Sequence, residues 1–311
     1  MEKILSWDNL LNTGAFRFER LVLKDIDNAP VIMINAPDII DQETCLFHRD
    51  VCTGDGYFMI LHDAIVRGLS EGKAVPVVRF ADGEYAYYNY DLNCNGLYQQ
   101  AESVRAIKEA MPLHIGALKK LARGGKFAPL VFPGNTARKS KGLFSLLRSS
   151  KKGPSASTFL KFLFDNGIEI TADNYIPFYV VYAYLTSEDF IRLVDSKKVC
   201  ILNSDFNKES CTNWFARFSS HPELSYVETP AEYVATRWDA MKEGILRQIS
   251  PDTDLCIIGA GIGSLIVCVD VAERFSIPAI DAGHVLNMMN DRVDKSNGAR
   301  LYTIRKTNAT A

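Results

Sequence analysis

The seven cysteines of this chain include no Cys-x-x-Cys pair, which excludes a zinc ribbon or a thioredoxin-like redox motif. Their odd number and irregular spacing build no disulfide framework and fit a reducing compartment. No run approaches the roughly 18 uncharged apolar residues of a membrane span. The opening residues, Met1-Glu2-Lys3-Ile4-Leu5-Ser6-Trp7-Asp8, lack the basic-then-apolar pattern of a secretory signal. An excess of either charge is also missing. Lys and Arg total 35 and Asp and Glu total 37, a net charge of −2, which argues against a dedicated nucleic-acid binder. The expectation is therefore a cytoplasmic protein without a nucleic-acid partner.

What is present is a balanced globular composition, 47% hydrophobic and 23% charged. At 311 residues the chain can bury a sizeable core without disulfides. Residues 1–56 show no clean period beyond a candidate strand at Val31-Ile32-Met33-Ile34, so they are set apart as an N-terminal extension. Residues 57–311 read as one α/β domain. Apolar residues at helical spacing run over 57–69 and 102–121. Pro112 is expected to kink the second of these helices.

Buried strands are expected at 74–80, 129–132, 199–202, 224–227, 255–258 and 277–280. Pro76 marks the first of them as an edge strand or a strand start. Thr229-Pro230-Ala231-Glu232 has the form of a capping box opening a helix to about residue 249. Strands alternating with helices predict a largely parallel sheet with helices on both faces, Rossmann-like in character.

Three segments carry residue types suited to chemistry. Asp82-Gly83-Glu84 follows the strand expected at 74–80, where open α/β sheets place their ligands. Two carboxylates one residue apart reach one centre if the backbone turns between them, and Gly83 permits a turn. Hard oxygen ligands suit Mg²⁺ or Mn²⁺. Such an ion would neutralise a nucleotide diphosphate, with Arg79 adding a fixed positive charge. The plainer alternative is a solvated turn whose acids cap the next helix.

The second segment, Gly259-Ala260-Gly261-Ile262-Gly263-Ser264, follows a strand and opens a helix, as phosphate-binding turns do. Asp281 follows about 20 residues later, as in a dinucleotide fingerprint, although Ser264 replaces the third glycine. A tight turn packing a helix on the sheet explains the glycines equally well. The third segment, Asp281-Ala282-Gly283-His284, ends another strand. His284 there is a candidate metal ligand, phosphate contact or base. Tyr85, Tyr87, Tyr88 and Tyr90 suit stacking on a base or sugar, or core packing. The basic run over 138–152 is a solvated loop or a peripheral contact for an anionic membrane surface.

Taken in order, Arg79-Phe80-Ala81-Asp82-Gly83-Glu84, the late glycine turn and the closing Asp281-Ala282-Gly283-His284 resemble the GT-D fold glycosyltransferases. In that family an Arg-Phe-Gly-Asp-Gly-Glu type segment carries an Asp-x-Glu motif, and a glycine turn and an Asp-x-Gly-His segment recur at the C-terminus. Thr229-Pro230 before a long helix is similar as well. The resemblance spans roughly 57–290. Ala81 replaces the usual glycine and leaves both carboxylates in place.

The resemblance implies a GT-D type fold and a metal (Mn²⁺ or Mg²⁺) held by Asp82 and Glu84. It implies a nucleotide-sugar pocket involving Arg79, Asp82, Gly83, Gly259, Gly261 and Asp281, and a catalytic set of Asp82, Glu84 and His284. The reaction it implies is transfer from a UDP-sugar to a hydroxyl of a glycan, glycoprotein or lipid-linked acceptor. Two other readings remain open. One is an NAD- or S-adenosylmethionine-binding enzyme using the Gly259–Ser264 turn. The other is a non-catalytic sugar-nucleotide-binding module.

Overall fold

The computed structural model describes residues 15–23, 44–96, 98–136 and 155–291. The candidate strand at Val31–Ile34 and the basic run over 138–152 lie outside the described residues. Phe16–Arg20 (β1) and Thr44–His48 (β2) form an antiparallel ribbon. The ribbon is no separate unit: Phe16, Cys45, Leu46 and Phe47 are buried in the common core. The Leu46 N–H donates to Val131 O at 3.2 Å. The first long helix, α1, spans Gly54–Glu71 and so begins just ahead of the expected boundary at 56. Thr53 starts it by accepting from the Gly56 N–H, and Gly72 ends it in the left-handed conformation.

Six parallel strands form the main sheet: β3 (Val75–Phe80), β4 (Lys126–Pro129), β5 (Lys198–Asn203), β6 (Glu223–Glu228), β7 (Leu255–Gly259) and β8 (Pro278–Asp281). Their order is β4-β3-β8-β7-β5-β6. Every residue of β3 and β8 is buried, whereas β6, at the sheet edge, alternates between exposed and covered positions. Strands covered on both faces need continuous apolar runs, and an edge strand with one open face does not.

Pro76 is expected at an edge strand or a strand start. β3 is internal, flanked by β4 and β8, but Pro76 precedes the first pair of the β4 ladder, Val77↔Lys126. A residue without an N–H is tolerated there.

The helices are α2 (Asp82–Tyr88), α3 (Val104–Gly124), α4 (Pro133–Thr136), α5 (Ala156–Asp165), α6 (Phe178–Leu185), α7 (Glu188–Leu193), α8 (Lys208–Ala216), α9 (Val234–Leu246), α10 (Ser264–Phe275) and α11 (His284–Met289). One group, α3, α9 and α10, packs together against the sheet, and α1 and α6 form another. α3 runs unbroken through Pro112. The capping box expected at Thr229 does not form: α9 begins at Val234, and its N-cap is Tyr233 in the left-handed conformation, without a side-chain cap.

Three of the four clustered tyrosines are core residues, and His114 explains two of them. His114 in α3 is fully buried. Its Nε2 lies 2.8 Å from Ala235 O on α9 and 3.2 Å from the Tyr87 hydroxyl, and its Nδ1 lies 3.0 Å from the Tyr88 hydroxyl, both tyrosines being on α2. The neutral ring can donate from Nε2 and accept at Nδ1, so three helices meet on one uncharged imidazole. Burial lowers its pKa to about 4.

A folded-state pKa below the unfolded value favours the neutral ring. Its stabilising effect is complete above about pH 6.5 and is lost as the pH falls toward 4, by about 3 kcal/mol. Urea denaturation between pH 7 and pH 4 should show this loss. His114→Gln should be less stable at pH 7 and should lack that part of the pH dependence.

Candidate active site at the carboxyl edge of the sheet

All six strands are parallel, so their carboxyl ends lie on one edge. β3 and β7 both flank β8. The three candidate segments, which begin 79, 259 and 281 residues into the chain, therefore arrive side by side. Arg79 and Asp281 join them directly. The Arg79 backbone N–H donates to Asp281 Oδ2 at 3.2 Å, Nη2 to Oδ1 at 3.0 Å, and Nε to the Asp281 carbonyl at 2.9 Å. Nη1 donates to the Tyr182 hydroxyl, and the guanidinium lies over the rings of Tyr182 and Phe178. Arg79 and Asp281 are both buried.

Gly283 has φ +45°, and a Cβ there would stand 1.8 Å from Arg79 Nη2. Glycine at this point of the Asp-Ala-Gly-His segment is needed because the guanidinium packs onto its backbone.

Asp82 and Glu84 occupy the first and third positions of α2. The backbone turn between them is an ordinary helix start. Gly83 is not required for it, since a Cβ there would meet only ordinary contacts near 4 Å. Successive helical residues rotate by about 100°, so side chains two apart leave in different directions. Asp82 is exposed. Glu84 folds back, and its Oε2 accepts from the Ala81 N–H at 2.8 Å. Burial pushes the Glu84 pKa up to about 7. Asp281 also raises it, against the lowering influence of the Ala81 N–H and Arg79.

Among the described residues no group of three or more His, Cys, Asp or Glu side chains is arranged to hold a metal. Asp82 is open to solvent, and Glu84 has one oxygen engaged by the helix start. This donor set fits only a weakly held cation whose remaining ligands come from a substrate, as Mg²⁺ sites with one or two carboxylates use phosphate oxygens.

The glycine turn packs tightly. A Cβ at Gly259 would meet Leu286 and Asn203, one at Gly261 would meet Gln100, and one at Gly263 would meet Val234. Two of its N–H groups are already engaged: Ile262 donates to Gln100 Oε1 at 2.9 Å and Ala260 to Ser264 Oγ at 3.1 Å. Packing therefore accounts for these glycines, and the turn is closed in part by the chain's own side chains. His284 is half-buried at the start of α11, with Nδ1 3.4 Å from Asn287 Nδ2.

Several site-forming residues carried no sequence signal. Tyr182 lies in a wholly apolar helix, and Gln100 lies in a loop. Asn290 is buried and ties the end of α11 to the β5–α8 loop, accepting from the Asn207 N–H at 2.9 Å and donating to Asp205 O at 3.1 Å. Tyr85 bridges strand ends, with its hydroxyl between Phe80 O and Leu130 O. Compared with known proteins, the chain matches no family model, no curated protein and no solved structure.

Two stability predictions follow from these charges. Asp281→Asn leaves a buried guanidinium without its counter-charge and should cost about 3–5 kcal/mol in chemical denaturation. For Glu84, the raised folded pKa means that its favourable contribution is present below about pH 4.5 and is lost as the pH rises through 7. Glu84→Gln keeps an acceptor for the Ala81 N–H and removes the charge. It should raise stability at pH 8 by about 1–2 kcal/mol, discounted for the partial opening of this side chain to solvent, and should change little at pH 5.

Proposed function

We propose that this chain is a metal-dependent glycosyltransferase of the GT-D type. It moves a sugar from a nucleotide sugar, a UDP-sugar in the first instance, to a hydroxyl of a glycan, glycoprotein or lipid-linked acceptor. The observation that carries this reading is the Arg79–Asp281 pair, which ties the end of β3, followed by Asp82 and Glu84, to the end of β8, followed by His284. Carboxylates at the carboxyl edge of a parallel sheet suit a polyanionic substrate when a divalent cation bridges the two.

In this reading Asp82, the exposed carboxylate, would hold the divalent cation. The cation supplies charge stabilisation of the leaving diphosphate when bound. Arg79, its charge compensated by Asp281, holds the ends of β3 and β8 together beneath the site. Glu84, held at the start of α2 by the Ala81 N–H, takes the proton from the acceptor hydroxyl. His284 lines the same edge and orients the acceptor. The reading assigns the reaction to the cytoplasm, peripheral to the inner membrane face when the acceptor is lipid-linked.

A panel of nucleotide sugars tests this by thermal melting with and without Mn²⁺ or Mg²⁺. The matching donor should raise Tm by about 3–6 °C at about 100 times its Kd, only in the presence of metal. Asp82→Ala should abolish the rise. An unchanged rise in that variant, or a metal-independent response to NAD or S-adenosylmethionine alone, would defeat the proposal. Binding with neither transfer nor hydrolysis would leave a sugar-nucleotide-binding module.

A further inference from the structure

The sheet changes direction between β5 and β7. From β5 the chain passes through α8 to β6 on one side, and from β7 through α10 to β8 on the other. Right-handed crossovers then put α8 and α10 on opposite faces, and a crevice opens at the carboxyl ends of the two strands. Asn203 and Gly259 are register partners at that point. The Thr229 N–H, just past the end of β6, donates to Asn203 O at 3.0 Å.

Thr229 is also the residue whose expected task is missing. Its hydroxyl does not cap α9, which starts at Val234. The side chain is 1% exposed, and Oγ1 has no hydrogen-bond partner among the described residues. A buried hydroxyl left unpaired costs about 1–3 kcal/mol. Only one other buried side-chain polar atom among the described residues shares that condition, Trp214 Nε1 in the last turn of α8. The segment beyond Thr229 carries a second irregularity. Pro230, Ala231 and Glu232 are exposed, and Tyr233 closes the loop with φ +63°, a conformation that costs a non-glycine residue about 1–2 kcal/mol. Tyr233 is held there by its N–H to Gln99 O at 2.9 Å and by its hydroxyl to the Gln99 side chain. An unpaired hydroxyl under an exposed loop anchored on a strained residue is the arrangement of a segment completed by a ligand.

We infer that Thr229, held beside the end of β5 by its N–H to Asn203 O, forms the subsite for the nucleoside half of the donor, with its hydroxyl bonding a ribose hydroxyl or the edge of the base. This inference rests on the nucleotide-sugar reading and extends it. Asp82, two strands away from β7, holds the diphosphate end, and the nucleoside lies across the switch point.

The test is a calorimetric titration of the full chain with UMP, and separately with pyrophosphate plus Mn²⁺. Thr229→Val keeps the shape and removes the hydroxyl. It should weaken UMP binding at least tenfold, leave pyrophosphate binding within threefold, and leave the ligand-free Tm unchanged or higher. Thr229→Ser should keep UMP affinity within threefold.

Several outcomes would overturn the inference alone: equal UMP affinity in wild type and Thr229→Val, equal weakening of pyrophosphate, or a fall of the ligand-free Tm in Thr229→Val that marks an internal partner for the hydroxyl. Failure of the wild-type protein to bind either UMP or pyrophosphate with metal would overturn the parent reading, and this inference with it.

Discussion

The Arg79–Asp281 pair is the interaction on which the carboxyl edge depends. It joins the penultimate residue of β3 to the last residue of β8 through a carboxylate that binds both the backbone N–H and the side chain of the same arginine. A buried ion pair of this kind adds little net stability, because desolvation offsets most of the attraction. What it does is fix register and direction. With Asp281 holding Arg79, Gly283 must pass directly over the guanidinium, α11 must start where it does, and α2 must leave β3 beside the glycine turn. Tyr182 and Phe178 close the other side, so the cation is sandwiched between an acid and two aromatic faces.

Glu84 acquires its character from this arrangement. It is the second carboxylate near a single guanidinium already committed to Asp281, and it is half-buried. Burial raises its pKa most and Asp281 adds to that, while the Ala81 N–H and Arg79 offset them only in part. A carboxyl group that titrates near neutrality at a strand end is a costly feature for the fold and a useful one for proton transfer. His114 shows the same physics put to a structural end. Its buried ring is neutral, every polar atom has a neighbour, and the result is a joint between α2, α3 and α9.

The same parallel topology that gathers the Asp82, Asp281 and His284 segments also sets the crevice beside β5. The metal-diphosphate and nucleoside halves of the proposed site thus come from one geometric fact, the alignment of all strand ends on one side. The glycine turn separates them. Its three glycines allow α9, α11 and the Gln100 loop to approach the strand end closely, and this packing shapes the site without requiring the turn itself to hold phosphate.

Much of this architecture is legible in the order of residues. Largely apolar runs at 74–80, 199–202, 255–258 and 277–280 point to buried strands, because a sheet covered on both faces accommodates them. Helical periodicity over 57–69 and 102–121 marks α1 and α3, which Thr53 and Ser103 cap in the structure. The presence of Asp82, Glu84, Asp281 and His284 just beyond strand ends follows from the same reading.

Side-chain partnership, by contrast, was decided only in three dimensions. Arg79 reads locally as a free positive charge, yet a residue 202 positions away neutralises it. Glu84 reads as a partner of Asp82 and instead serves the helix start. Thr229 reads as a cap, and its hydroxyl is buried at the switch point, because the left-handed Tyr233 delays the helix by four residues past the expected start at Pro230. Local pattern determines which segments are strands and helices, since periodicity and capping act over a few residues. The charge state and the partner of each polar group depend on what the sheet brings alongside, and that is set by strand order, which no short stretch of sequence encodes.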